Sequence, residues 1–218
     1  MEIKNKSGNV IGKIQIQSLQ DENILDNIIH ELRPGDGKGI YIADAVDNKF
    51  TQQTNYAAIE WDKGYEMLRD KLIPWKPRFP IHSVVNDIHV YYGFDNLNKH
   101  EIDEMIEESN RTGKNVVVRD LKPNNTLVGV SITYLTDNGT YKLSIFGTTK
   151  SRIQMPDNKN SKVNQLEIRG VEVFYISNIE TEQLIWIEED ENGKALQYEL
   201  IGRNISQDFL IMIAESMS

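Results

Sequence analysis

The sequence predicts an α+β fold, a curved antiparallel β-sheet built of successive hairpins and covered by a few α-helices, including the C-terminal helix. Three observations carry this. Val128, Val130, Ile132 and Tyr134 alternate with small or polar residues up to Asp137-Asn138-Gly139, after which Tyr141, Leu143 and Ile145 alternate back. Leu166 and Ile168 lead into Arg169-Gly170, and Val171, Val173 and Tyr175 follow, which predicts a second tight hairpin. Leu184 to Glu188 and Leu196 to Ile201 flank Asn192-Gly193 as a third. Hairpins in series make a meander, which buries one face and needs a covering layer.

Taken in order, Val10 to Gln17 sets Ile14 and Ile16 against Lys13, Gln15 and Gln17, the period of a half-buried strand. Asp21 is placed to cap a helix in which Ile24, Leu25, Ile28, Ile29 and Leu32 recur at three and four residues, ended by Pro34. Gly39 to Val46 returns as a strand, Asn48 to Tyr56 is polar and turn-like, and Ala57 to Leu72 is helical in part, interrupted by Gly64. Pro74, Pro77 and Pro80 then exclude both helix and central strand. This extended connector divides the chain into an N-terminal α+β region, residues 1–79, packed on the rest, and a C-terminal α+β domain, residues 80–218. Trp75 and Phe79 within it read as a structural clasp in preference to a peptide-module ligand.

Val84 to Tyr92 is β-prone. Asn98 with Glu101 approximates a capping box, opening a helix to about Asn110 whose buried edge is Ile102, Met105 and Ile106. Val116 to Arg119 is a short strand, and Thr148 to Asn160 reads as a polar, exposed loop. In the third hairpin Trp186 and Tyr198 are expected to hold the sheet. Ser206 then caps the last helix, with Ile205 and Leu210 as a hydrophobic staple and Asp208 favouring the helix dipole. Leu210, Ile213, Ala214 and Met217 share its apolar face; Phe209 and Met212 fall off that face, which points to burial on a second side or to a partner surface.

The composition narrows the function classes. With 24 Lys and Arg against 33 Asp and Glu, the net charge is −9 and the signs are interleaved. Such a surface repels phosphate backbones and anionic lipid unless a local basic patch exists, and the densest basic run, Lys71 to Arg78, is broken by prolines and aromatics. The lack of cysteine excludes disulfides, thiolate catalysis and cysteine–zinc sites. No apolar run reaches the ~20 residues of a membrane span, and Met1-Glu2-Ile3-Lys4 does not open a signal-peptide core.

The sharpest chemical pattern is Glu188-x-Asp190-x-Asn192-Gly193 with Glu199 at the twelfth position, a distorted calcium-loop template. That template needs flanking helices, whereas the flanks here alternate as strands, so an acidic β-turn accounts for the same letters more simply. Gly35-Asp36-Gly37-Lys38-Gly39 lacks phosphate-loop spacing and reads as a flexible helix-to-strand turn. His30, His82, His89 and His100 show no metal-ligand spacing. There is no G-x-S-x-G elbow, and pairs such as Glu107-Glu108 read as a solvated face. No catalytic or cofactor-binding residue is assigned and no cofactor is implied, which disfavours an enzyme.

Gly170-Val171-Glu172-Val173, Leu184-Ile185-Trp186, Gly193, Tyr198, Ile205-Ser206 and Leu210-Ile211-x-Ile213-Ala214-Glu215-Ser216 together resemble the bacterial domain of unknown function 4367, over residues about 80 to 218. The resemblance implies the C-terminal extracytoplasmic domain of an anti-sigma-factor-like protein behind one transmembrane helix. Met1 then begins a fragment, with Lys4 to Gly8 as the linker that follows the membrane. It carries no known catalytic or ligand residues. The function expected is non-enzymatic sensing or regulation through a protein or small ligand, on the extracytoplasmic side of a bacterial membrane. The alternatives are a carrier for an apolar or cell-wall-derived ligand and, last, a carboxylate-dependent hydrolase; the alternative compartment is the cytoplasm.

Overall fold

The computed structural model describes residues 2–4, 10–17, 24–45, 49–81, 83–137, 139–148, 151–156, 162–189 and 194–218. Its elements in chain order are β1 (Glu2–Lys4), β2 (Val10–Gln17), α1 (Ile24–Glu31), β3 (Asp36–Ile42), β4 (Phe50–Asn55), β5 (Ile59–Glu60), α2 (Tyr65–Leu72), a 3-10 turn (Ile73–Trp75), β6 (Val84–Phe94) and α3 (Lys99–Thr112). There follow β7 (Val116–Asp120), β8 (Pro123–Thr136), β9 (Gly139–Thr148), β10 (Ser151–Pro156), β11 (Lys162–Ile168), β12 (Val171–Ser177), β13 (Glu182–Glu189), β14 (Ala195–Arg203) and α4 (Gln207–Ser216). The chain divides into two compact units: Met1–Asp21, Glu60–Val90 and Gly129–Ser218 form one, and Glu22–Ile59 with Tyr91–Val128 form the other.

The main sheet is open, in the order β11-β12-β13-β14-β9-β8-β6-β5, and every pairing from β11 to β8 is antiparallel. All three expected hairpins are present: β8 with β9, β11 with β12, and β13 with β14. They do not follow one another as a simple meander, because β14 returns to pair with β9, Tyr198 opposite Ile145. The Arg169-Gly170 turn closes with Ile168 opposite Val171, and both turn residues have positive φ, 54° and 74°. That is the twist-matched geometry two-residue hairpins favour, with glycine at the second position. The Asn138 and Asn192-Gly193 turns lie outside the described residues.

One expectation is corrected here. A meander with one buried face should alternate in burial, yet Val173 to Ile176 on β12 and Leu184 to Ile187 on β13 are buried without a break. Continuous apolar runs are the mark of strands covered on both faces. Trp186 and Tyr198 occupy one face; Phe174, Ile187 and Ala195 cluster on the other with Val163. Gly129 sits opposite Phe146, whose ring lies where a Cβ would be, 2.2 Å away, so glycine here admits the aromatic ring.

The covering helix α4 packs on β13, β14 and β11. Its Ser206 side chain accepts a hydrogen bond from the Phe209 N–H at 3.3 Å, and Ile205 and Leu210 are both buried, as the staple requires. Phe209 meets the Tyr141 ring edge-on while Met212 is exposed. A second correction concerns the stretch expected as a loop after Thr148: Ser151–Pro156 is strand β10, running parallel to β2 with Ser151 opposite Gly12 and Pro156 opposite Gln17. Its partner is remote in sequence, and the alternation of Ile153 and Met155 with Arg152 and Gln154 is too short to stand out from the polar residues around it.

The second unit holds the sheet β4-β3-β7, with α3 packed on β7 and β3. Tyr41, Met105 and Val117 form its buried cluster, flanked by Phe50, Leu97 and Ile106. The Asn98 capping box is complete: its side chain accepts from the Glu101 N–H at 3.1 Å and its own N–H donates to the Glu101 carboxylate at 2.8 Å. The turn-like reading of Asn48 to Tyr56 is replaced by strand β4, whose pairing with β3 supplies order its polar letters do not advertise. The flexible-turn reading of Gly37 to Gly39 is likewise replaced: both glycines lie inside β3, where a Cβ would meet the Phe94 ring and the Leu97 methyl. The helix cap proposed at Asp21 lies outside the described residues.

Candidate functional site

Trp186 on β13 and Tyr198 on β14 are directly opposed in the ladder, and their rings stack with centroids 5.1 Å apart and planes 5° from parallel. Two residues on, and so on the same face, is Glu188. Its carboxylate accepts hydrogen bonds from the Trp186 indole N–H at 2.9 Å, from Arg78 Nε at 2.9 Å and from the Arg169 guanidinium. The Arg78 backbone N–H donates to the Tyr198 hydroxyl at 3.0 Å. Burial, chiefly, pushes that phenol up to about 12, so it stays neutral.

Arg169 does two things at once. It occupies the left-handed region at the hairpin tip, a conformation that costs a non-glycine residue ~1 kcal/mol or more. From there its guanidinium reaches the carbonyls of Ala214 and Met217, the latter at 3.2 Å. Helix α4 has no basic residue in its own last turn, so Arg169 supplies the cation its C-terminus lacks. Beside it Phe79 and Ser218 exchange backbone hydrogen bonds of 3.1 and 3.2 Å, tying the proline-rich connector to the chain end. The connector's Phe79 is buried and meets Tyr65 edge-on, while Trp75 lies beneath the Lys194 ammonium at 4.9 Å. A carboxylate holding these donors is a structural hub and has little left to offer a metal or a substrate.

The calcium template does not converge. Glu188 opposes Leu196 whereas Glu199 opposes Ile185, so the two carboxylates leave opposite faces of the β13–β14 hairpin. Asp190 and Asn192 lie outside the described residues. Glu199 accepts instead from the Gln183 amide, and burial raises its carboxyl above the ordinary value, with Lys142 and Gln183 working against the rise. No group of three or more His, Asp or Glu side chains able to hold a metal occurs among the described residues. Of the histidines, His89 pairs with Asp87 at 2.9 Å, His100 with Glu104 at 3.4 Å, His30 is exposed and His82 lies outside the described residues.

Two features escaped the sequence. The first is a phenol cluster: Tyr134 and Tyr141 stack at 4.9 Å, Tyr141 donates to the Ser83 hydroxyl, and Tyr134 faces Tyr65 with its own buried hydroxyl in no hydrogen bond of standard geometry. Burial raises all three phenols, so the cluster is uncharged. The second is a surface around α2. The Trp61 indole N–H donates to the Gly64 carbonyl at 2.9 Å, and the ammonium groups of Lys63 and Lys71 lie 5.4 and 5.6 Å from its ring. Met67 and Ile73 are 56% and 65% exposed in the same segment. The run of cations and tryptophans from Trp61 to Arg78 was its available signal.

These elements define an α+β domain in which a two-faced antiparallel sheet and its terminal helix are joined by an arginine–glutamate hub. Residues 124–217 match the family described as domain of unknown function (DUF4367), which covers the hairpins β8–β9, β11–β12 and β13–β14 and helix α4. The resemblance read from Trp186, Tyr198 and the helix end is therefore shown over those residues. No curated protein and no solved structure matches the chain.

Proposed function

We propose that the chain is a non-enzymatic, extracytoplasmic sensing or regulatory domain of a membrane-anchored, anti-sigma-like bacterial protein, and that it works by binding. The observation that carries the binding half is the segment from Trp61 to Val84. It exposes Met67, Ile73, Ile81 and Val84, 47 to 65% open, beside two tryptophans and their lysines. Several large apolar side chains left open along one short stretch of chain are the feature an interaction site would use. Three partly buried carboxylates are held in structure: Glu188 in the hub, Glu108 with Arg119 and Lys114, and Glu182 with Tyr175 and Ser177.

The test uses the absence of cysteine from these 218 residues. Ile179 is 85% exposed in the turn between β12 and β13, so an Ile179→Cys variant of the gene, with any cysteine outside these residues replaced by serine, provides one reporter thiol. Labelling by a membrane-impermeant maleimide in intact cells, with a changed transcriptional output on deleting the domain, is the expected result. Labelling only after lysis contradicts the placement, and an unchanged transcriptome contradicts the regulatory role.

A further inference from the structure

We infer that the Trp61–Trp75 surface is an interfacial site for an anionic lipid bilayer. The inference rests on the reading of the chain as a binding domain. Between Trp61 and Lys76 the chain carries four cations against three acids, Arg78 beyond them being held by Glu188, while the whole chain is at −9. The three lysines that matter are placed by geometry: Lys63 and Lys71 flank the Trp61 ring and Lys194 covers that of Trp75. Tryptophan with lysine at its face is the pair that suits a headgroup layer, the indole at the polar–apolar boundary and the ammonium toward phosphate.

Between the two tryptophans, Met67 and Ile73 present the apolar component. Met67 lies one turn from Lys71 on α2, and Ile73 opens the 3-10 turn that carries Trp75. Their neighbours Leu68 and Leu72 are fully buried, so α2 is anchored inward and the exposed pair is held outward. Interfacial segments of this type combine modest apolar insertion with attraction to anionic headgroups. Asp62, Glu66 and Asp70 lie in the same stretch and offset part of this charge, whereas acids more than ~8–10 Å from the surface are screened at physiological salt. A protein partner with an acidic groove would meet the same cations, but an indole capped by an ammonium offers it no directional donor or acceptor beyond the charge.

The experiment is co-sedimentation of the 218-residue chain with vesicles of phosphatidylcholine alone and of phosphatidylcholine with 30% phosphatidylglycerol, at low and at 0.5 M salt. Binding to the anionic vesicles only, weakened by salt, is expected. Lys71→Gln should lower the partition coefficient about fivefold, the factor equivalent to ~1 kcal/mol per surface cation. Ile73→Ser, at a 65% exposed position that leaves the core intact, should lower it as well, with unchanged circular dichroism. No binding to anionic vesicles at low salt overturns the inference, as does binding that both variants retain in full. Capture of a polyglutamate peptide without vesicle binding assigns the surface to an acidic protein partner and also overturns it. None of these outcomes bears on maleimide labelling in cells, so failure here and failure of the placement are separable.

Discussion

Arg169 and Glu188 join the tip of the β11–β12 hairpin to the end of β13, and through the same guanidinium the pair holds the last carbonyls of α4. Both side chains are about four-fifths buried. Removing one partner strands the other's charge. Arg169→Ala and Glu188→Gln are each expected to cost about 1.5–3 kcal/mol in urea unfolding, the range for hydrogen bonds to charged groups. The double variant should cost less than the two singles together. Additive losses would mean that the residues act independently.

Trp186 is the largest fully buried side chain and pairs its stack on Tyr198 with a hydrogen bond to Glu188. Trp186→Ala should destabilise by ~3–5 kcal/mol, as truncation of a buried aromatic does. Tyr198→Phe keeps the stack and loses only the bond from the Arg78 N–H, so ~1 kcal/mol is expected. Comparable losses from the two changes would contradict the division of labour.

The phenol cluster gives opposite signs for neighbouring changes. Tyr134→Phe removes a buried hydroxyl that has no hydrogen bond of standard geometry and should be neutral or stabilising in thermal unfolding. Tyr141→Phe removes the donor to Ser83 and should cost about 0.5–1.5 kcal/mol. A Tyr134→Phe variant less stable than Tyr141→Phe would refute the assignment.

Glu199 sets a pH dependence of known direction. Its carboxyl is raised by burial above the ordinary 4.5, so the folded state holds the proton more tightly than the unfolded chain. Its contribution is fully present below about pH 4.5 and is lost as pH rises through the folded-state value. Glu199→Gln should therefore gain on the wild type in stability as pH increases from 4 to 8, measured by unfolding at each pH. A difference that shrinks over that range contradicts the assignment.

The sequence made the local devices readable and left the remote ones hidden. Asn98, Arg169-Gly170 and Ser206 act within a few residues of themselves, so a cap or a turn could be read from adjacent letters. Strand β4 is Phe-Thr-Gln-Gln-Thr-Asn, and only its ladder with β3 makes it a strand. Strand β10 depends on β2, and the return of β14 to β9 depends on a pairing that no period encodes. The Arg169–Glu188 hub was invisible for the same reason. The calcium pattern misled because a linear template ignores which face of a strand each carboxylate leaves. Glu188 and Glu199 satisfy the spacing yet point apart. The basic run Lys71 to Arg78 is broken by Trp75 and its prolines, and the partners that complete the surface, Trp61 for Lys71 and Lys194 for Trp75, both lie outside that run.

The working face is tested most directly by tryptophan emission. Trp186 is buried and reports the core, whereas Trp61 and Trp75 lie partly open beside their lysines. On adding vesicles with 30% phosphatidylglycerol at low salt, emission should shift to the blue and iodide quenching should fall, and both changes should vanish in a Trp61→Phe, Trp75→Phe double variant. An unchanged spectrum, or a shift that survives in the double variant, would contradict the account.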